Sequence, residues 1–318
     1  MVFLIAAISI GITFLYGCEG EILTEKAGHL NLGIPGTMTF GAAGGCFGVS
    51  LYMGSLSSPD QANYFLLILT GILFAMLFAA ALGAIYSFLT VSLRSNQNVT
   101  GLAITTFGVG LSMFLMESVV DKTYFAKAST YFIRYMPLAD KLGWFGELFL
   151  SHGILVYLAI AIALFSSWFL KKTKKGLHLR AVGENPATAD AVGINVTAYK
   201  YAFTCIGSAI AGIGGLYYVM DYLNGSWEYG IEAVGWLAIA LVIFAMWKPN
   251  LSILGSFLFG GLFVAAQFIS GVSFSQKELL KLLPYVVTIV VLVLTSVKGS
   301  KENQPPASLG LSYFREER

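Results

Sequence analysis

Charge is what this 318-residue sequence has least of: Asp, Glu, Lys and Arg together make up 11% of it, against 57% hydrophobic residues. So thin a supply of charge cannot cover a water-facing surface, which excludes a soluble globular protein. A net charge of +2 is too small for a nucleic-acid-binding surface. Cysteines are only three, Cys18, Cys46 and Cys205. Odd in number and far apart, they offer neither a disulfide framework nor a metal-ligand spacing, and read as packing residues. The three histidines, His29, His152 and His178, are equally scattered and form no metal or nucleophile pattern. No GxxxxGK[ST] segment occurs, so the chain has no P-loop; if ATP drives it, another chain binds the nucleotide.

What the sequence has is long apolar runs. Charge-free stretches occupy 1–18, 30–59, 61–93, 95–116, 148–170, 201–220, 233–247, 249–276 and 282–297. A hydrocarbon core about 30 Å thick needs about 20 apolar residues at about 1.5 Å each. The expected fold is therefore all-α, a polytopic transmembrane helical bundle with about nine to ten membrane-spanning elements. Residues 1–297 form the transmembrane domain and 298–318 a tail too short to bury a core. With Pro305, Pro306 and mixed charge, that tail reads as disordered or surface-hugging.

The positive charges are clustered. Lys171, Lys172, Lys174, Lys175, Arg180 and Lys200 face only Glu184 and Asp190, which marks 171–200 as cytoplasmic. Residues 221–234 carry Asp221, Glu228 and Glu232 with no Lys or Arg, and read as external. Threading from these anchors places Arg94, Lys248 and the tail inside and 119–147 outside. Residues 19–29, with Glu19, Glu21, Glu25 and Lys26, make a poor span, so a retained helix over 1–17 followed by a broken or re-entrant element is expected. "LYGC" at 15–18 resembles a lipoprotein cleavage site, but Tyr16 is bulky there and no Lys or Arg precedes it. The remaining charges, including Glu117 and Asp221, fall at span ends, which argues against an ion-driven secondary transporter and against a charged cargo. No nucleophile with a base stands at membrane depth, against an intramembrane enzyme.

Small residues recur at helix-contact spacing: Gly207, Ala211 and Gly215 lie four apart, as do Gly41 and Gly45, and Gly44 and Gly48. In lipid, where apolar burial does not drive helices together, small residues allow the close backbone approach that does. Pro249 and Pro284 read as helix starts. Pro35 predicts either a kinked or unwound chain between Asn31 and Gly36 or a simple helix start. Asn31, Thr37, Thr106 and Gln267 are uncharged hydrogen-bonding side chains in or beside apolar runs, and are candidates for a substrate path.

The segment "GLHLRAVGENPATADAVGIN" at 176–195 has a grammar of its own. Asn185 is an N-cap, Pro186 sits at the first helical position, and Gly193 stops the helix as a left-handed residue. A helix over 186–192 is too short to stand alone and should dock on something.

This segment resembles the cytoplasmic coupling element of permeases of bacterial ATP-binding-cassette (ABC) importers. "GEILTEKAGHLNLGIPGTMTFGA" resembles the amino-terminal signature of their nucleoside-type branch. "LAIALVIFAMWKPNLSILGSFLFGGLF", "LLPYVVTIVVLVL" and "PASLGLSYFREE" are similar to the family's last spans and carboxyl end. The resemblance covers almost the whole chain and names the branched-chain amino acid, ribose and nucleoside permease superfamily. It implies a multi-pass subunit of the bacterial cytoplasmic membrane without catalysis or cofactor of its own, ATP and Mg being held by a partner ATPase. Implied partners are the ATP-binding subunit, a second related permease and an external substrate-binding lipoprotein. Gly183, Glu184, Asn185, Pro186, Ala187, Ala189, Ala191, Gly193 and Ile194 would form the coupling helix. Nucleosides are the implied cargo, with a monosaccharide, a branched-chain amino acid or a flavin-like vitamin as alternatives. Pro35 departs from the family's acidic residue in "N-L-G-x-E-G".

Overall fold

The computed structural model describes residues 1–135, 139–269, 271, 273–298 and 304–314. Among these the regular elements are all helical: α1 (Val2–Glu25), α2 (Ile34–Gly54), α3 (Tyr64–Ser87), α4 (Gln97–Ser118), α5 (Phe125–Phe132), α6 (Gly143–Phe149), α7 (Ile154–Lys172), α8 (Lys174–Glu184), α9 (Pro186–Ala191), α10 (Val196–Tyr217), α11 (Ile231–Phe244), α12 (Pro249–Phe268), α13 (Phe274–Leu280) and α14 (Leu283–Lys298). Helices α1, α3, α4, α7, α10 and α12 are each long and apolar enough to cross a bilayer. The other apolar runs hold α2, α11 and α14, so every run overlaps at least one helix. π-Helical turns at Phe88–Ser92 and Tyr218–Tyr222 extend α3 and α10.

The bundle is layered from inside outward. Helix α1 is buried at every residue from Ile10 to Glu25 and packs on α7, α10, α11 and α12. In α10, 83% of the spanning window is buried, against 33% in α3, so α10 is interior and α3 faces outward on one side. Glycines set the distances between these layers. A side-chain carbon on Gly207 would strike the Gly20 carbonyl, and one on Gly215 the Met38 carbonyl; a carbon on Gly20 would lie 3.2 Å from Ala211 Cβ. The face of α10 bearing Gly207, Ala211 and Gly215 thus meets α1 first and α2 further along. Gly41 lies against Gly212 and Gly45 against Leu216, both on α10, whereas Gly44 and Gly48 receive Phe78 and Phe74 of α3.

The amino-terminal expectation needs correction. Helix α1 does not stop at residue 17; it continues unbroken through all three glutamates to Glu25, and the irregular stretch comes afterwards, at 26–33. The reading that charge lies only at span ends fails with it, since Glu19, Glu21 and Glu25 are at most 3% exposed. A buried carboxylate is tolerated when hydrogen-bond donors meet it; one oxygen of each has a donor, from distant residues for Glu19 and Glu25 and from Asn31 for Glu21. Lys200 is also buried, near the start of α10. Pro35 sits in the first turn of α2, where its missing N–H costs nothing, and the unwound chain precedes it. Pro249 likewise opens α12. The turn before it holds Met246 and Trp247 at φ of 51° and 54°, an uncommon left-handed pair that swings the Trp247 indole inward.

The cysteines are free, Cys18 and Cys46 buried and Cys205 partly so. Each histidine has a local partner: Thr204 Oγ1 for His29 (2.9 Å), the Leu148 carbonyl for His152 (3.1 Å) and Tyr199 OH for His178 (3.1 Å). Among the described residues no group of His, Cys, Asp and Glu could hold a metal.

Candidate coupling site and buried chain break

Two segments, far apart in sequence, stack on each other. The first is the break at 26–33. The N–H groups of Lys26 to His29 still bond back to α1 carbonyls, but those of the largely buried residues 30–33 do not, so other groups must satisfy them. Glu21 Oε1 accepts from Asn31 N (2.9 Å), and Asn31 Oδ1 accepts from Gly33 N (2.9 Å). Gln97 Oε1 accepts from Leu30 N (2.8 Å), while Tyr86 OH donates to the Leu30 carbonyl (2.8 Å) and Thr105 to that of Leu32 (2.8 Å). The other two glutamates tie α1 to α12 and the turn before it: the Trp247 indole N–H donates to Glu25, and the Ser252 hydroxyl to Glu19. Glycines let neighbouring backbones close on the break. A side-chain carbon would lie 2.5 Å from Thr105 Cα at Gly36, 2.7 Å from Leu32 N at Gly101 and 2.5 Å from Pro35 Cα at Gly235.

The second segment is α8–α9. Thr173 caps α8 by accepting from Gly176 N (3.0 Å), an 11-residue helix that the charge cluster at 171–175 had hidden. Asn185 Oδ1 accepts from Thr188 N (2.9 Å), Pro186 occupies the first turn of α9, and Gly193 has φ of +85°. Ala189 is buried with Val182 and Val196, so α9 packs on α8 and on the start of α10. At the end of α8, a side-chain carbon on Gly183 would strike the Lys26 carbonyl, and one on Gly28 would lie 3.5 Å from Gly183 Cα. Burial lowers the Lys26 pKa, and the nearby Glu184 carboxylate opposes that shift.

The carboxyl tail closes over both segments, which the sequence reading left between disorder and a surface-hugging path. Residues 304–314 follow the surface; 299–303 and 315–318 lie outside the described residues. Ser308 N donates to the Gly183 carbonyl (3.0 Å), Ala307 N to Glu184 Oε2 (3.3 Å) and Tyr313 OH to Asp190 Oδ2 (2.8 Å). Gln97 Nε2 reaches the Leu311 carbonyl at 3.3 Å, so one side chain holds the break and the tail together.

The four path candidates are not brought together. Asn31 and Thr37 are fully buried; Asn31 braces the break and Thr37 donates to the Ile34 carbonyl (2.9 Å). Thr106 is exposed on α4 and donates to the Leu102 carbonyl (3.2 Å); Gln267 is exposed near the end of α12. Sequence reasoning missed the bracing residues Glu21, Tyr86, Gln97 and Thr105. The signal for them was the polar residues standing in otherwise apolar runs.

The geometry defines a class: a multi-pass helical membrane protein whose buried polar groups hold a chain break against a capped surface helix. Residues 1–292 match the family described as branched-chain amino acid transport system / permease component, and the chain belongs to it. It is 32% identical to a putative glucose ABC transporter permease protein, TsgC13, of Haloferax volcanii, over 93% of this chain and 92% of the relative. It is 30% identical to the nucleoside ABC transporter permease protein NupC of Lactococcus lactis subsp. cremoris (93% and 91%). It is also 30% identical to the guanosine ABC transporter permease protein NupQ of Bacillus subtilis (94% and 92%). The chain is thus the permease component of an ABC importer in the cytoplasmic membrane, without an ATPase site of its own, and operates with ATPase and binding-protein partners.

Proposed function

We propose that this permease carries nucleosides. The observation that supports the reading most is the pair of relatives named for nucleoside and guanosine transport, each aligned over more than nine-tenths of this chain. The "GEN" form at 183–185 and the "PASLG" tail at 306–310 agree with that branch. The buried glutamates of α1 do not turn the reading toward a charged cargo, because an oxygen of each is engaged within this chain, Glu19 by Ser252, Glu21 by Asn31 N and Glu25 by Trp247, although Glu19 Oε2 and Glu21 Oε2 have no hydrogen-bond partner among the described residues. A monosaccharide is the second reading, favoured by the relative named for glucose. Substrate-stimulated ATP hydrolysis by the purified assembly, with its binding protein, separates the two. Stimulation by uridine or guanosine and not by glucose is expected; stimulation by glucose alone overturns the nucleoside reading.

In the proposed assembly a second related permease stands beside this one, an external lipoprotein delivers cargo, and the segment from Gly183 to Ile194 docks in a cleft of the ATPase. This requires 171–200 to lie in the cytoplasm and 221–234 outside, as the positive charge bias argues. Single cysteines at Thr173 and Asn224 test the orientation in a background lacking the native thiols. An impermeant thiol reagent added to intact cells should label position 224 and spare 173; labelling of 173 reverses the topology.

A further inference from the structure

A polar cavity of about 480 Å³ opens beside the coupling segment, between the start of α10, the end of α9, the turn after α3 and the tail. Its volume falls within the range of small-molecule sites, roughly 300–1,000 Å³. At its wall stands Lys200, only 3% exposed and with no hydrogen bond or ion pair to any described residue. A buried ammonium without a counter-charge is costly, and a cavity around it has room for one. Arg94 adds a second cation on the same wall, stacked 4.7 Å over the Phe314 ring. The first turn of α10 adds a third attraction. Asn195 caps it by accepting from Ala198 N (2.9 Å), whereas the N–H groups of Val196 and Thr197 have no acceptor within the helix. These groups, at the positive end of a 22-residue helix, suit an anion. Among the described residues the carboxylate on the wall is Asp190, which accepts the Tyr313 hydroxyl.

We propose that this cavity is a binding site for the phosphomonoester of a small polar metabolite. Lys200 and the helix start meet the dianion, with Arg94 on the same wall, and the hydroxyl and amide side chains around them, Thr90, Thr197 and Asn195, meet the polar remainder. The volume exceeds what a bare phosphate fills, which favours an organic phosphate. Phosphorylation is the class of reaction that would turn either proposed cargo, nucleoside or sugar, into such a ligand. The cytoplasmic placement of the site rests on the orientation proposed above, whereas binding in detergent does not depend on it.

The test is equilibrium dialysis of the nucleotide-free permease–ATPase assembly in detergent against radiolabelled uridine 5′-monophosphate, glucose 6-phosphate and inorganic phosphate. At least one organic phosphate should bind more tightly than inorganic phosphate. Lys200→Met should weaken that binding about tenfold or more. Asp190→Asn, which removes the like charge, should tighten it about threefold, a change in the opposite direction that a folding defect does not produce. Absence of binding by all three probes up to about 10 mM overturns the assignment and leaves Lys200 to an acidic side chain of a partner. Inorganic phosphate binding as tightly as both organic probes overturns the phosphomonoester in favour of the free ion. Affinity unchanged in both variants places the bound ligand elsewhere in the assembly and also overturns it. Should binding hold while uptake shows neither nucleoside nor sugar as cargo, the cargo reading fails and the site stands.

Discussion

Replacing Gly215 with valine should leave almost no folded permease in the membrane. The added carbon would collide with the Met38 carbonyl of α2 and press within 3.0 Å of Ala42 Cβ. Neither neighbour can yield, because one is backbone and the other is buried in the same interface. In water an overpacked core costs about 1–3 kcal/mol and apolar burial still drives collapse. In lipid the helices gain nothing from burial alone, so separating α10 from α2 forfeits most of what joins them. Helix α10 also packs on α1 and α3, and the defect reaches the whole interior. The amount of monodisperse protein recovered in mild detergent should fall about tenfold or more, the ratio that about 1.4 kcal/mol produces. Gly110→Val is the control, since nothing lies within 4 Å of a carbon added there, and recovery should be unchanged. Normal recovery and thermal stability for Gly215→Val would mean that α10 and α2 are not in backbone contact.

Asn185→Ala combined with Pro186→Gly should uncouple transport while the spans stay folded. Asn185 holds the first turn of α9 through Thr188 N, and loss of such a cap costs about 0.5–2 kcal/mol. Glycine for Pro186 adds backbone freedom at the first turn. Six residues cannot form a helix without help, so this loss is large compared with what keeps α9 formed. The anchors left include the packing of Ala189 and the Tyr313–Asp190 hydrogen bond. Adding Tyr313→Phe to the double variant removes that bond and should deepen the defect. Uptake by reconstituted assembly should fall about tenfold or more, with the ATPase either lost from the complex or hydrolysing ATP without responding to cargo. Thermal unfolding of the permease should stay near that of the wild type, because α9 contributes little to contacts between spans. Full cargo-coupled uptake in the double variant would falsify the docking role and leave α9 an ordinary connection.

What the sequence determined by itself was everything set by lipid and by near neighbours. A bilayer demands about 20 apolar residues per crossing, so each charge-free run announced its helix. The cap at Asn185, the stop at Gly193 and the helix starts at Pro249 and Pro284 depend on residues within one turn, and are readable for that reason. The glycine spacing on α2 and α10 marked contact faces because a helix repeats every three to four residues. Only the tertiary structure decided the fate of the charged groups. Glu25 and Glu19 meet Trp247 and Ser252 across 222 and 233 residues, and no local pattern shows that a carboxylate will find such a partner. Without that knowledge the glutamates read as the end of a span, and with it α1 runs on to Glu25. The tail's hold on Gly183, the stacking of Gly183 on the chain break and the burial of Lys200 were hidden for the same reason. Burial of a polar group is governed by what the rest of the chain brings to it, and that is fixed only once the helices have packed.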